Sequence, residues 1–243
     1  MSLYLDLLKR VLTRIEFESL TKEEYESRRI GLDWPPPKEA ETMIGMVRLT
    51  NIEELIYRIM WSSIPGDFCE TGVWRGGAAI FMKGCLHHWD YESPVRYTKF
   101  RKVWVCDSFQ GLPPPNEKDY PVDRGDIHHT HTSLAVSLEE VKRNFQKYQL
   151  LDDRVCFVEG WFKDTLPGPI EKLALLRLDG DMYESTIQVL NALYDKVSSG
   201  GYVIVDDYAL KGAKIATDDF RKQRGITTPL TIIDWTGVYW KKE

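Results

Sequence analysis

The stretch Arg177-Leu178-Asp179-Gly180-Asp181-Met182-Tyr183-Glu184-Ser185-Thr186, read with the later pair Asp206-Asp207, decides both the fold and the place to look for chemistry. Short apolar runs, residues 173–178 and 202–205, precede the two acidic pairs, and each has the length and aliphatic or β-branched content of a buried strand. Two consecutive strands therefore end in carboxylates. Adjacent strands lie about 4.8 Å apart, so side chains just past two such ends can reach one cation. An oxygen-only donor set, with no Cys or His beside it, favours a hard divalent ion such as Mg²⁺ over zinc. Taken singly, each pair has a plainer reading: Asp179 and Asp181 cap a helix over residues 184–197, and Asp206 and Asp207 open a polar loop. Both pairs together favour a metal-assisted site.

Working outward, the same rhythm recurs on either side. Residues 67–70 read as a strand that runs into Thr71-Gly72-Val73-Trp74-Arg75-Gly76-Gly77 and then a helix through Trp89. Further strands are predicted at 103–106, ending at Asp107, and at 155–158, ending at Glu159-Gly160. Ser137-x-x-Glu140 opens a helix reaching Tyr148. Gly200-Gly201 is read as the stop of the helix after Asp181, and a helix over 215–224 stops at Gly225. A strand over 230–234, a Thr236-Gly237 turn and a strand over 238–241 close the chain. This alternation predicts an α/β fold: a doubly wound, mostly parallel seven-stranded sheet with one antiparallel strand. Upstream, apolar residues at helical spacing over 4–15 predict an N-terminal amphipathic helix that ends before the charged stretch 16–29. Residues 33–39, rich in proline, read as a linker. Thr50-x-x-Glu53 is read as the opening of a helix over 52–61. The expected division is an extension over 1–41 and a main domain over 42–243.

At 243 residues, 43% hydrophobic and 28% charged, the chain suits one sizeable α/β core. A net charge of −5 without a dense basic block argues against a nucleic-acid partner. The charged residues within the first helix, and the absence of any long apolar run, argue against a signal peptide or a membrane span and lead to a cytoplasmic expectation. Cys69, Cys85, Cys106 and Cys156 show no metal-type spacing and read as reduced, structural residues.

In open α/β sheets the ligand crevice lies beyond the carboxyl ends of the strands. Those ends read Glu70-Thr71-Gly72, Asp107-Ser108, Glu159-Gly160-Trp161, Asp179-Gly180-Asp181 and Asp206-Asp207, a row of carboxylates along one edge. The first turn lacks the G-x-G-x-x-G spacing, and Glu70 would repel a pyrophosphate, so a dinucleotide is disfavoured. A ligand with a cationic centre and a ribose fits better. Asp107 is placed to accept hydrogen bonds from ribose hydroxyls, and acidic groups suit a sulfonium, as in S-adenosyl-L-methionine.

Several literal runs carry a resemblance. Residues 70–77 (Glu-Thr-Gly-Val-Trp-Arg-Gly-Gly), 106–113 (Cys-Asp-Ser-Phe-Gln-Gly-Leu-Pro), 160–167 (Gly-Trp-Phe-Lys-Asp-Thr-Leu-Pro), 178–186 and 201–208, with the closing 234–240, resemble the macrocin O-methyltransferase (TylF-type) family in order from about residue 42 to 241. The resemblance implies a class I, Rossmann-like methyltransferase that uses S-adenosylmethionine and Mg²⁺ on sugar hydroxyls of natural products, as a homo-oligomer. It implies Asp179, Asp206 and Asp207 as metal ligands and Asp181 as general base. It implies cofactor contacts at Thr42, Met43, Glu70, Thr71, Gly72, Val73, Trp74, Arg75, Gly76, Asp107, Ser108, Gln110, Ser137, Gly160 and Trp161. Acceptor recognition is expected in the loop 114–133 and the N-terminal helix.

A sugar hydroxyl is too weakly acidic to ionise at neutral pH, so a coordinating cation and a base such as Asp181 share that work. His128, His129 and His131 cluster in the long loop, where one of them is expected to touch the acceptor rather than bind a second metal. Trp34, Tyr120 and Trp161 are candidates to stack on a hydrophobic acceptor. Two other readings remain: a cation-dependent methyltransferase acting on a catechol-like acceptor, and a metal-dependent hydrolase using the same aspartates on water.

Overall fold

The computed structural model describes residues 2–17, 19–32, 35–92 and 100–243. Three helices lead in: α1 (Leu3–Leu12), α2 (Lys22–Ile30) and α3 (Met46–Trp61). The alternating core follows as β1 (Asp67–Thr71), α4 (Gly77–Glu92), β2 (Val103–Asp107), α5 (Leu138–Lys147), β3 (Val155–Glu159), the one-turn α6 (Phe162–Thr165), β4 (Leu173–Leu178) and α7 (Tyr183–Leu193). It ends with β5 (Val197–Val205), α8 (Lys211–Gln223), β6 (Thr231–Ile232) and β7 (Val238–Lys241). The seven strands lie in the order β3-β2-β1-β4-β5-β7-β6, with β1 to β5 parallel and β7 antiparallel to both its neighbours. The predicted sheet is therefore observed, and the strand order reverses between β1 and β4, which sets the crevice at those two ends.

β4 is buried along its whole length, as a central strand covered on both faces must be. One apolar layer joins α3, α4 and α5 to one face of the sheet, and Leu5, Leu8 and Leu12 of α1 belong to it. The second layer packs Val189, Leu190 and Leu193 of α7 and Phe220 of α8 on the other face. Burying each such side chain contributes about 1.5–3 kcal/mol, which is what holds the strand ends in register.

Three local readings are corrected, and one helix was not anticipated. The charged stretch 16–29 contains α2, opened by a reciprocal capping box: the Glu24 amide donates to Thr21 Oγ1 at 3.2 Å, and the Thr21 amide donates to Glu24 Oε2 at 2.7 Å. Thr21-x-x-Glu24 was the signal for it. The Thr50-x-x-Glu53 pattern, by contrast, lies inside α3, which starts at Met46; both side chains take the buried Lys9 ammonium of α1, at 3.2 and 2.8 Å. Gly200-Gly201 stops no helix. α7 ends at Leu193, a 3₁₀ turn follows at Tyr194–Lys196, and β5 runs through both glycines, with Gly200 at φ +84° where the register against β4 shifts. The strand expected over 230–234 is only the two residues of β6. Trp34 lies outside the described residues.

Candidate active site

The ladder of the sheet continues past the strand ends and lines up the acidic residues. The Asp179 amide donates to Thr71 O and the Asp206 amide to Leu178 O, both at 2.9 Å, while Gly72 N donates to Cys106 O and Gly160 N to Asp107 O at the same distance. Gly72, at φ +81°, passes so close to Asp179 O that an added Cβ would lie 1.7 Å from it, so only glycine fits there. The ends of β1, β2, β4 and β5 thus face one cavity of about 530 Å³.

The acidic wall of that cavity holds Glu70, Asp179, Asp181, Asp206 and Asp207. One carboxylate oxygen from each of Asp179, Asp206 and Asp207 lies within 4.8 Å of the others. Opposite ligands of an octahedral ion at about 2.1 Å stand roughly 4.2 Å apart, so the three oxygens fit a small hard cation after minor side-chain adjustment. Asp181 sits beside them at φ +57°, a left-handed conformation that non-glycine residues rarely hold, with its amide donating to Asp207 Oδ2 at 3.1 Å.

Two buried arginines, which the sequence reading did not single out, share in balancing this charge. Arg177, at 1% side-chain exposure, reaches Glu70, Asp179 at 2.7 Å and Asp206 at 2.5 Å. Arg48 of α3 reaches Asp206, and Asp234 at 3.0 Å. The crowding of aspartates is therefore not by itself evidence of a metal. Counted as ionised, Glu70, Asp179, Asp181, Asp206, Asp207 and Asp234 exceed the two guanidiniums by four negative charges, and several of them are pushed toward the neutral form. Burial would raise the Asp206 carboxyl, but Arg177 and Arg48 outweigh it and hold Asp206 below the usual range. Asp207, which has neither arginine, is raised well above it by burial and by Asp179, Asp181 and Asp206. Asp179 is raised by burial against the pull of Arg177. Burial and Asp179 push Asp181 up to about 7, and burial pushes Glu70 up to about 8 despite Arg177. Glu70 Oε2 is buried without a hydrogen-bond partner, so this carboxyl has an acceptor to spare at the end of β1.

Of the residues expected at the cofactor, Thr42, Met43, Glu70, Gly72, Val73, Trp74, Asp107, Ser108, Gly160 and Trp161 line the cavity. Asp107 already accepts the amides of Val73 and Phe109, each at 2.7 Å, and burial raises its carboxyl. Five others do not line it. Thr71 Oγ1 donates to Arg177 O, Arg75 holds the carbonyls of Lys38 and Ala40, Gly76 packs against Val141, Gln110 donates its amide to Ser108 Oγ, and Ser137 caps α5 by accepting the Glu140 amide. The side chains of Thr71, Arg75 and Ser137, and the backbone amide of Gln110, are used within the fold. Tyr120 also stays off the cavity and packs near the Tyr183 ring.

The opposite wall comes from Gly111, Leu112 and Pro113, from His128, His131 and Leu134, and from Gly31 and Leu32 just after α2. The loop carrying the histidines is pinned by Asp123. That residue is 4% exposed, and its two carboxylate oxygens accept the amides of Tyr183 and Glu184 at 2.7 and 2.9 Å. The start of α7 is thus capped from 60 residues away, and neither Asp179 nor Asp181 caps it. No local pattern announces such a contact.

Among the described residues, no helix is long and apolar enough to cross a membrane. The profile of the macrocin-O-methyltransferase (TylF) family matches residues 6–242. Demethyldecarbamoylnovobiocin O-methyltransferase of Streptomyces niveus is 48% identical, over 99% of this chain and 94% of its own. An 8-demethyl-8-(2,3-dimethoxy-alpha-L-rhamnosyl)-tetracenomycin-C 4'-O-methyltransferase of Streptomyces olivaceus is 44% identical, over 98% and 92%. Mycinamicin III 3''-O-methyltransferase of Micromonospora griseorubida is 42% identical, over 99% and 96%. The solved structure of the O-methyltransferase NovP superposes with a TM-score of 0.90 at 50% identity, covering 99% of this chain and 98% of that one. With this likeness along nearly its whole length, and a cavity at the ends of the parallel strands, the chain belongs to the macrocin O-methyltransferase (TylF) family and is an O-methyltransferase that uses S-adenosylmethionine.

Proposed function

We propose that this enzyme methylates a sugar hydroxyl of a glycosylated natural product, with Asp179, Asp206 and Asp207 holding Mg²⁺ and Asp181 taking the hydroxyl proton. The observation that carries the reading is the shared cavity: the cofactor-side residues of β1 and β2 and the acidic ends of β4 and β5 open into one space. The relatives' glycosylated substrates support the acceptor class.

In the transfer, the hydroxyl oxygen forms a bond to the methyl carbon, the carbon–sulfur bond breaks with its electron pair going to sulfur, and the proton goes to a base. A bound Mg²⁺ would lower the acidity barrier of the attacking hydroxyl. Asp181 is the base because it is the wall carboxylate that neither guanidinium touches and that is not one of the three clustered oxygens. Arg177 fixes Oδ2 of Asp179 and leaves its other oxygen to face a cation, whereas both oxygens of Asp206 are held, Oδ1 by Arg177 and Oδ2 by Arg48, so a cation would share an Asp206 oxygen with a guanidinium. Glu70 and Asp107 line the cofactor end with carboxyl oxygens, which suit ribose hydroxyls, and a bound sulfonium would favour their ionised forms. The half-buried Trp161, Phe162 and Leu134 exclude water from the remaining walls.

The test is methyl transfer from S-adenosylmethionine to demethyldecarbamoylnovobiocin, to mycinamicin III and to a simple catechol, followed by mass spectrometry with and without EDTA. Methylation of a glycosylated acceptor, abolished by chelator and restored by Mg²⁺, is the expected result. Turnover of the catechol alone would replace the sugar reading, and turnover indifferent to EDTA would remove the metal.

A further inference from the structure

The catalytic reading leaves the histidine cluster of the long loop without a task, yet the structure places it with care. Asp126 accepts both the backbone amide of His128, at 2.9 Å, and its Nδ1, at 2.8 Å. A carboxylate only accepts, so Nδ1 carries the proton in this pair and the ring is held in one orientation. Nε2 is left as the atom available to a ligand. His128 lines the same cavity as Asp181, and Asp181 lies close enough to act on the imidazole electrostatically.

The support beneath is equally specific. Asp123, three residues before Asp126, is clamped to the first two amides of α7, whose start follows Asp181 directly. Gly212 at the start of α8 packs against the same carboxylate: a Cβ there would come within 2.9 Å of Asp123 Oδ1. The loop is therefore tied to the backbone that carries Asp181, and His128 keeps a fixed relation to it.

We infer that His128, oriented by Asp126, is a specificity-determining residue whose Nε2 hydrogen-bonds the acceptor hydroxyl next to the one that is methylated. The inference rests on the sugar-acceptor reading and deepens it. A hydroxyl both donates and accepts, so the contact survives in either protonation state of the ring. Such a contact selects for a polyhydroxylated ring and holds the reacting oxygen in place, since two fixed points on one ring leave it little rotational freedom.

The test is a cycle between the enzyme and the acceptor. The probes are demethyldecarbamoylnovobiocin and its analogue in which the sugar hydroxyl beside the methylated position is replaced by hydrogen. Wild type is expected to lose about tenfold in kcat/KM on the analogue, the scale of one hydrogen bond that leaves a partner unmet. His128→Leu should lose about as much on the full acceptor and nothing further on the analogue, with an unchanged dissociation constant for S-adenosylhomocysteine. Asp126→Ala, which frees the ring without removing it, should show a smaller loss with the same dependence on that hydroxyl.

Losses that multiply in the His128→Leu and analogue combination, or a His128→Leu variant with wild-type discrimination, would overturn the inference while leaving the proposed function intact. A wild-type enzyme that turns over no glycosylated acceptor would bring down both.

Discussion

The two walls of the cavity are built by opposite means. The acidic wall is an outgrowth of the sheet: Asp179 and Asp206 hang from amides that still belong to the strand ladder, and their charge is met by guanidiniums from β4 and α3. The facing wall is loop, running through 3₁₀ turns at Pro121–Asp123, His128–Thr130 and Thr132–Leu134, and it is held by single polar side chains. Ser108, Asp123, Asp126 and Ser137 each satisfy one or two backbone groups there. The lesson is a division of labour. Under the proposed function, chemistry common to every turnover would sit against the sheet, and acceptor recognition would sit on a loop surface that one substitution can remodel.

The hardest blow to the acidic wall is Asp181→Asn. It is expected to cut turnover about a thousandfold, within the range of general-base catalysis, while affinity for S-adenosylhomocysteine by calorimetry stays as in wild type. Near-normal turnover would take the base role away from Asp181. Arg177→Met strikes the same wall through its charge balance. Leaving Glu70, Asp179 and Asp206 without their shared partner should lower unfolding free energy by about 3–5 kcal/mol in a denaturant titration. A loss below about 1 kcal/mol would show that the carboxylates do not depend on the guanidinium.

The loop wall should give way more gently. Asp123→Ala removes a helix cap worth about 1–2 kcal/mol and should raise the acceptor KM with cofactor affinity unchanged. Equal damage to both affinities would mean that the two walls are one mechanical unit.

The smallest effect is expected away from both walls, at Lys83 and Asp152, which pair at 2.7 Å between α4 and the turn before β3. Burial pushes the Asp152 carboxyl up, but the hydrogen bond from Lys83, the Arg154 amide and the charges of Lys83 and Arg154 outweigh it and hold Asp152 below 3.8. A depressed carboxyl stabilises the fold fully above its unfolded value and loses that contribution as pH falls through its folded value. The melting-temperature gap between wild type and Asp152→Asn should thus be constant near neutrality and close as the pH drops below 3.8, with turnover at neutral pH unaltered in both. A gap that widens in acid would reverse the sign of this linkage.

The strands were legible because each is a short apolar run with a carboxylate at its end, and those ends do meet in one cavity. The misread elements share a cause. A Thr-x-x-Glu pattern marks a helix start only if both side chains turn back to their own backbone, as Thr21 and Glu24 do; Lys9 draws Thr50 and Glu53 elsewhere. Likewise Gly200 supplies a positive φ, which serves a bulged strand as well as a helix stop.

Sequence by itself determined the alternation of strand and helix, the acidic edge and the family, because periodic burial and literal motifs are properties of neighbouring residues. Only the tertiary structure decided how that edge tolerates its charge and what faces it. Arg48 meets Asp206 across 158 positions and Asp123 meets Tyr183 across 60, and no local pattern carries either pairing. Such contacts exist only once the chain has crossed over at β1 and β4 and brought distant charges into a dry space, where leaving any of them unpaired is costly.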